Sequence, residues 1–264
     1  MRSQTHKYSY GAVIPFFFIH AGALLAFVVP ASLGMLVVSY TVRMFGVTGG
    51  YHRYFSHRSY KLGRVAQLVL AVIAQSSGQK GVLWWAALHR VHHRHSDDES
   101  DIHSPSRRGF WWSHAGWVLS NEHDTYNPRD IADFAKFAEL RWLDRHHWVP
   151  TTALAAMCFA WGGWKGLVWG YLVPTVLLYH CTFAINSVAH IFGTRRFETA
   201  DHSRNNWLLA LVTFGEGWHN NHHFSMASAR QGYRWWEIDL TYGVLKVLSW
   251  LRIARDLRPF RGMA

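Results

Sequence analysis

Residues 11–40 are apolar almost without interruption, with His20 and a few small polar residues as the exceptions. A run of that length cannot be left in water, and lipid accepts only segments that close their backbone hydrogen bonds internally, so it must be helical and embedded. Pro30 divides it into expected spans at residues 11–29 and 31–50, each close to the ~20 residues that cross a hydrocarbon core. The run is too long for a signal-peptide core and shows no convincing small-residue cleavage site, so it reads as an anchor. A second pair is expected at 148–164 and 166–184, with "GGWKG" as the turn between them. The fold class is therefore an all-α membrane protein of four transmembrane helices. It forms one domain, 1–264, whose cytosolic helical cap is built from residues 51–147 and 186–264.

One further stretch, "VAQLVLAVIA" at residues 65–74, is only ten residues long and runs into polar sequence. It fits an interfacial or re-entrant helix rather than a span. The basic residues test this topology: 13 of the 27 Lys and Arg lie between Tyr51 and His147, ten follow Asn186, and the expected turns are nearly bare. The positive-inside rule then puts both termini and the central loop in the cytoplasm. A net charge of +11 permits nucleic acid, anionic lipid or an acidic protein as partner. No helix-turn-helix, zinc-finger or RNA-binding signature is present, so nucleic acid is not expected. Cys158 and Cys181 show neither metal-ligand spacing nor a disulfide framework and are expected to pack. The apolar stretch 235–258 ends in basic residues; it can lie on the membrane surface or pack against the cap.

Against that frame the histidines are unevenly placed. "HRVHH" (His89, His92, His93) and "HNNHH" (His219, His222, His223) write H-x-x-H-H twice. On a helix, positions i, i+3 and i+4 share one narrow arc, so each group aims three rings at one small volume. Crowded imidazoles disfavour one another's protonation, and a metal ion is what they can share. His52 and His57 are five apart, poorly convergent on an ideal α-helix, so the second span is expected to end or loosen after Gly49 and Gly50. Asn186 and His190 follow the fourth span at i and i+4. His6, His20, His123, His146, His147 and His202 read as ordinary surface or satisfied residues. His95, His103, His114 and His180 flank the clusters and are candidates to orient ligands.

The motifs "GYHRYFSHRSYK", "HRVHHRHSDDESDIHS", "RRGFWWSHAGW", "NSVAH" and "GEGWHNNHH" resemble, in content and order, the integral-membrane fatty acid desaturases of the delta-9, stearoyl-CoA desaturase-like branch that includes many bacterial enzymes. The resemblance runs from about Val42 to Leu257. It implies an inner-membrane enzyme with two irons held by His52, His57, His89, His92, His93, His190, His219, His222 and His223, and by Asn186 through a water. Zinc can substitute in a purified preparation, since imidazole accepts both metals. It also implies a kinked acyl tunnel whose bend is lined by Gln79, Trp85 and Thr182. Asp97, Asp101 and Glu216 are candidates to accept imidazole N–H bonds; alternatively "SDDESD" is a solvated acidic turn. The implied reaction takes a saturated acyl chain, O2 and two electrons to a cis double bond and two waters, chemistry that no acid, base or nucleophile side chain performs.

Two departures bear on the substrate. Ala87-Leu88 and Asn121-Glu122 stand where animal acyl-CoA enzymes of the family carry Arg-Asp and Arg-Lys, so CoA recognition by those contacts is not expected, although Arg107, Arg108, Arg195 and Arg196 offer phosphate ligands. An acyl-lipid or carrier-bound chain stays open. No cytochrome b5-like segment follows the last histidine group, so electrons are expected from a separate carrier, a ferredoxin or a cytochrome b5-like protein. The alternatives are a di-iron membrane hydroxylase, which would return oxygen to carbon, and a metal transporter, which would need ligands inside the spans.

Overall fold

The computed structural model describes residues 8–261, and within them the chain is mostly helical. His6 lies outside the described residues. Two helical runs are long and apolar enough to cross a membrane, Tyr10–Phe27 and Trp148–His190. The second is not one straight rod. Gly163 adopts φ 54°, ψ −142°, a conformation that glycine reaches without steric cost. Beyond it the chain folds back: a Cβ on Gly166 would lie 2.0 Å from the Cys158 carbonyl oxygen, whereas residues eight apart on a straight helix are ~12 Å apart along the axis. The expected turn therefore falls within "GGWKG". Its arms are Trp148 to Gly162 on one side and, on the other, a helix that passes through Val173–Ser187 to His190.

The helix Leu33–Phe45 follows the first hairpin turn and continues, without a break, into an eleven-residue π-helix, Gly46–Ser56. The expected loosening begins at Gly46. The helix Arg64–Gln75 crosses here so closely that a Cβ on Gly46 would meet the Ala74 backbone at 3.0 Å. Arg43, 1 % exposed, is held among the helices by Thr175 Oγ1 at 2.7 Å and the Tyr171 carbonyl at 3.3 Å. Cys158 and Cys181 are free thiols packed against the core.

Arg64–Gln75 is short and two-sided: Gln67, Leu70, Ala71 and Ala74 are buried while Val65, Val69 and Val72 face outward. Two later helices have the same character. Trp207–Val212, capped by Asn206, exposes Trp207, Leu208 and Leu211. Leu240–Trp250, capped by Asp239, buries Thr241 and Leu245 and exposes Val244, Val247 and Trp250, so one face of the C-terminal stretch packs against the rest of the chain and the other is apolar and uncovered. The tail is tied back by a two-stranded antiparallel ladder, Lys61–Leu62 with Ala254–Arg255, and by the Arg258 amide on the Ser59 carbonyl at 2.8 Å. The histidine groups hang between these pieces, on the π-helix, on the helix Val82–His95, on the end of the second hairpin and on the short helix His219–Phe224.

Candidate metal centre

The π-helix solves the spacing problem of His52 and His57. Its ladder bonds residue i+5 to i, and the His57 amide donates to the His52 carbonyl at 3.1 Å, so residues five apart meet on one side. Their Nε2 atoms are 3.2 Å apart. From there the contacts close into a ring: His57 to His89 at 3.0 Å, His89 to His93 at 2.9 Å, His93 to His222 at 3.0 Å, and His222 back to His52 at 3.0 Å, all between Nε2 atoms. A second set, His92, His190, His219 and His223, converges beside it, with His190 and His219 Nε2 3.0 Å apart. The sequence stretches that looked separate thus deliver five rings to one point and four to another. Asn186 lies on the wall of the adjoining cavity.

The five-membered ring of nitrogens cannot be a hydrogen-bond network. Each neutral imidazole Nε2 is either a donor or an acceptor, and an odd cycle cannot alternate the two, so at least one edge pairs like with like. A cation at the centre relieves every edge at once. Protonation is opposed at four of the five: burial first, and then neighbouring histidines, hold His57, His89, His93 and His222 well below the usual imidazole range. His219 is lowered in the same way.

The second set is fixed from behind by carboxylates. His92 Nδ1 bonds Asp101 at 2.9 Å, His190 Nδ1 bonds Asp97 at 2.8 Å and His223 Nδ1 bonds Asp201 at 2.6 Å. An ionised carboxylate only accepts, so each Nδ1 carries the hydrogen and each Nε2 lone pair is left pointing inward. His223 Nε2 is buried with no partner of its own. Asp97 reaches His190 because it sits at φ 62°, in the left-handed region that aspartate tolerates, and turns the chain after the Val82–His95 helix. Its carboxyl is held far below the ordinary value: His190, Ser104 and the His202 amide outweigh the opposing effect of burial. Burial, countered by Asp201, leaves His223 at about 4. For His92 burial is outweighed by Asp101 and the shift is upward. In the first set only His52 has such an anchor, Glu216, which also receives Arg53 at 3.0 Å.

Of the expected carboxylates, Asp97, Asp101 and Glu216 are thus all at histidine Nδ1 atoms, while Asp98 and Glu99 of the same acidic run are exposed. Asp201 and Gln231 were not foreseen. Asp201 lies in a polar loop, and no local pattern marks it; Gln231 bonds Glu216 at 3.0 Å. His103 packs against His92 with ring centroids 4.2 Å apart, and His95 pairs with Asp98. His114 and His180 bond each other at 3.0 Å, and His180 bonds His20 at 3.0 Å, away from both sets.

A cavity of about 970 Å³ leads to the first set. It is lined mostly by apolar side chains of both helical hairpins and reaches His89. Gln79, Trp85 and Thr182 all lie on its wall and are bonded together: Gln79 Nε2 donates to Thr182 Oγ1 at 2.8 Å, and Trp85 Nε1 donates to Gln79 Oε1 at 3.3 Å. Trp85 stacks on His89 with centroids 4.8 Å apart.

A family model of fatty acid desaturases matches residues 26–248. The chain belongs to the fatty acid desaturase family. It is 40% identical over 251 residues to an sn-1 stearoyl-lipid 9-desaturase of Synechocystis, covering 92% of this chain and 79% of that one. It is 36% identical to the sn-1 stearoyl-lipid 9-desaturase of Anabaena variabilis, covering 91% and 90%. An acyl-CoA 5-desaturase of Anemone leveillei is 38% identical over 81% of this chain and 68% of its own. Family membership makes the protein an oxidoreductase that desaturates acyl chains, and it favours that activity over the hydroxylase alternative. It also makes the histidine sets the natural place for the metal, and the lone pairs left facing inward fit one.

Proposed function

We propose that this protein is a delta-9 acyl-lipid desaturase of a bacterial inner membrane, with one iron in the five-histidine set and one in the four-histidine set, and with Asn186 reaching the metal centre through a water. The observation that carries the reading is the meeting of two convergent histidine sets with an acyl-sized apolar cavity that runs up to His89. When bound, the irons supply what no side chain can: activation of O2 to break two methylene C–H bonds with two electrons. The chain's own residues do the rest. Asp97, Asp101 and Asp201 hold imidazole hydrogens on Nδ1 and keep the Nε2 atoms aimed inward. Gln79, Thr182 and Trp85 fix the cavity wall next to His89, which sets the register of the acyl chain, and the apolar lining excludes water.

Two features support a lipid-borne substrate. The cavity wall includes Phe18, Trp148 and Trp164, which are also exposed on the flanks of the hairpins, so an acyl chain has a way in from the bilayer. Glu122, at one of the positions expected to lack a CoA contact, is engaged by Arg108 at 2.7 Å. The two hairpins make four spans, both turns lie outside the cell, and the basic cap faces the cytoplasm, where a separate acidic electron carrier, a ferredoxin or a cytochrome b5-like protein, docks.

Expression in a host that lacks its own desaturase, followed by mass spectrometry of the lipid, CoA and carrier-protein fractions, tests this. The expected product is a cis double bond at carbon 9 in membrane lipid. Unsaturation confined to the CoA fraction would remove the lipid assignment, and an alcohol would remove the reaction itself.

A further inference from the structure

The two histidine sets have unequal surroundings. Three of the four rings in the smaller set, His92, His190 and His223, are each backed by a carboxylate, and among the described residues none of Asp97, Asp101 and Asp201 is ion-paired to a lysine or arginine. The larger set has one such anchor, Glu216, and its charge is shared with buried Arg53, which also pairs with Asp239 at 2.9 Å. His93 and His222 of that set have buried Nδ1 atoms without a partner, against His219 alone in the smaller set. Exposure differs in the same direction. All four rings of the smaller set are buried, whereas His57, His89 and His93 of the larger set, though desolvated in the interior, each keep a partly exposed edge. Of the nine histidines, only His89 lines the cavity.

Resting on the two-iron reading above, we propose that the sites differ in hold: the four-histidine site keeps its ion, and the five-histidine site, open to the cavity, is the one that exchanges. A carboxylate behind a ligating imidazole raises its basicity, and losing one typically costs 10- to 100-fold in metal affinity. Three unneutralised carboxylates face one ion and a single, arginine-shared one faces the other. The fifth imidazole of the larger set works against this difference, and the three anchors with full burial outweigh it.

The test is a chelator challenge of the intact protein in detergent, with metal per chain read by mass spectrometry over time. Two ions per chain should leave in two phases, the second at least about tenfold slower than the first. His57→Ala should remove the fast phase and leave one slowly released ion. Asp201→Asn should quicken the slow phase by roughly 10- to 100-fold and leave the fast one alone. Loss of both ions at one rate overturns the inference without the challenge needing any variant, as does an Asp201→Asn effect confined to the fast phase. A preparation that takes up no more than one ion per chain overturns the two-iron reading, and the inference with it.

Discussion

His222 stands at two edges of the nitrogen ring, 3.0 Å from both His52 and His93, and it is 1 % exposed. His222→Ala opens the ring and leaves a cavity where a buried imidazole stood. Desaturation should be abolished while the protein still inserts in the membrane, because nothing in the helical hairpins depends on this ring. Retained activity would remove His222 from the ligand set. Gln79 acts at a different level, since it touches no histidine of either set in the hydrogen-bond network but joins Trp85 to Thr182. Gln79→Leu leaves the part-buried Trp85 N–H without its acceptor, a loss of about 1 kcal/mol, and frees the indole that stacks on His89. Metal content should stay at the level of the unmodified protein, while the product spreads over neighbouring double-bond positions and turnover falls. A single product at the unmodified rate would show that the trio does not set the register.

Among the elements, the π-helix Gly46–Ser56 does most to shape the site, and it depends on a close approach. Gly46 is in contact range of the Ala74 backbone, where no flexible side-chain end can yield. Gly46→Leu should push the Arg64–Gln75 helix away at a cost of about 1–3 kcal/mol, the usual range for overpacking, and should tilt His52 and His57 out of the ring. The measurements are a lowered thermal midpoint in detergent together with loss of bound metal; normal metal content would show that the π-helix tolerates the shift. This element also shows what was legible beforehand. Five-residue spacing after Gly49 and Gly50 disclosed that an α-helix could not present both rings, so some loosening was readable, but an eleven-residue i→i+5 ladder was not, because no local propensity favours it. The H-x-x-H-H groups were legible for the opposite reason: their spacing is the geometry. Asp97, Asp101 and Glu216 could be suspected from proximity in sequence to histidine groups. Asp201 could not, since it reaches His223 across 22 residues of loop and turn, and that contact exists only in three dimensions.

At the scale of the whole molecule, three short helices share one design. Arg64–Gln75, Trp207–Val212 and Leu240–Trp250 each bury one face and expose valines, leucines or tryptophans on the other. The Tyr40 hydroxyl, on the second helix of the first hairpin, donates to the Val212 carbonyl at 2.6 Å, which ties the Trp207–Val212 helix to that hairpin. In the proposed topology such outward apolar faces suit the headgroup boundary, with tryptophans as anchors. Charge argues the same orientation, since the Arg and Lys are concentrated in residues 51–147 and 186–264 and the hairpin turns carry Lys165 alone. The consequence is a test of sidedness that needs no activity. With Cys158 and Cys181 replaced by alanine, single cysteines at Val28→Cys and Trp161→Cys, both highly exposed and next to the hairpin turns, should react with an impermeant maleimide only from outside the cell. Glu99→Cys, in the exposed part of the acidic run between the histidine groups, should react only in inverted vesicles. If Glu99→Cys were labelled from the same side as Val28→Cys, the first hairpin would not cross the bilayer and the histidine sets would need another relation to the membrane.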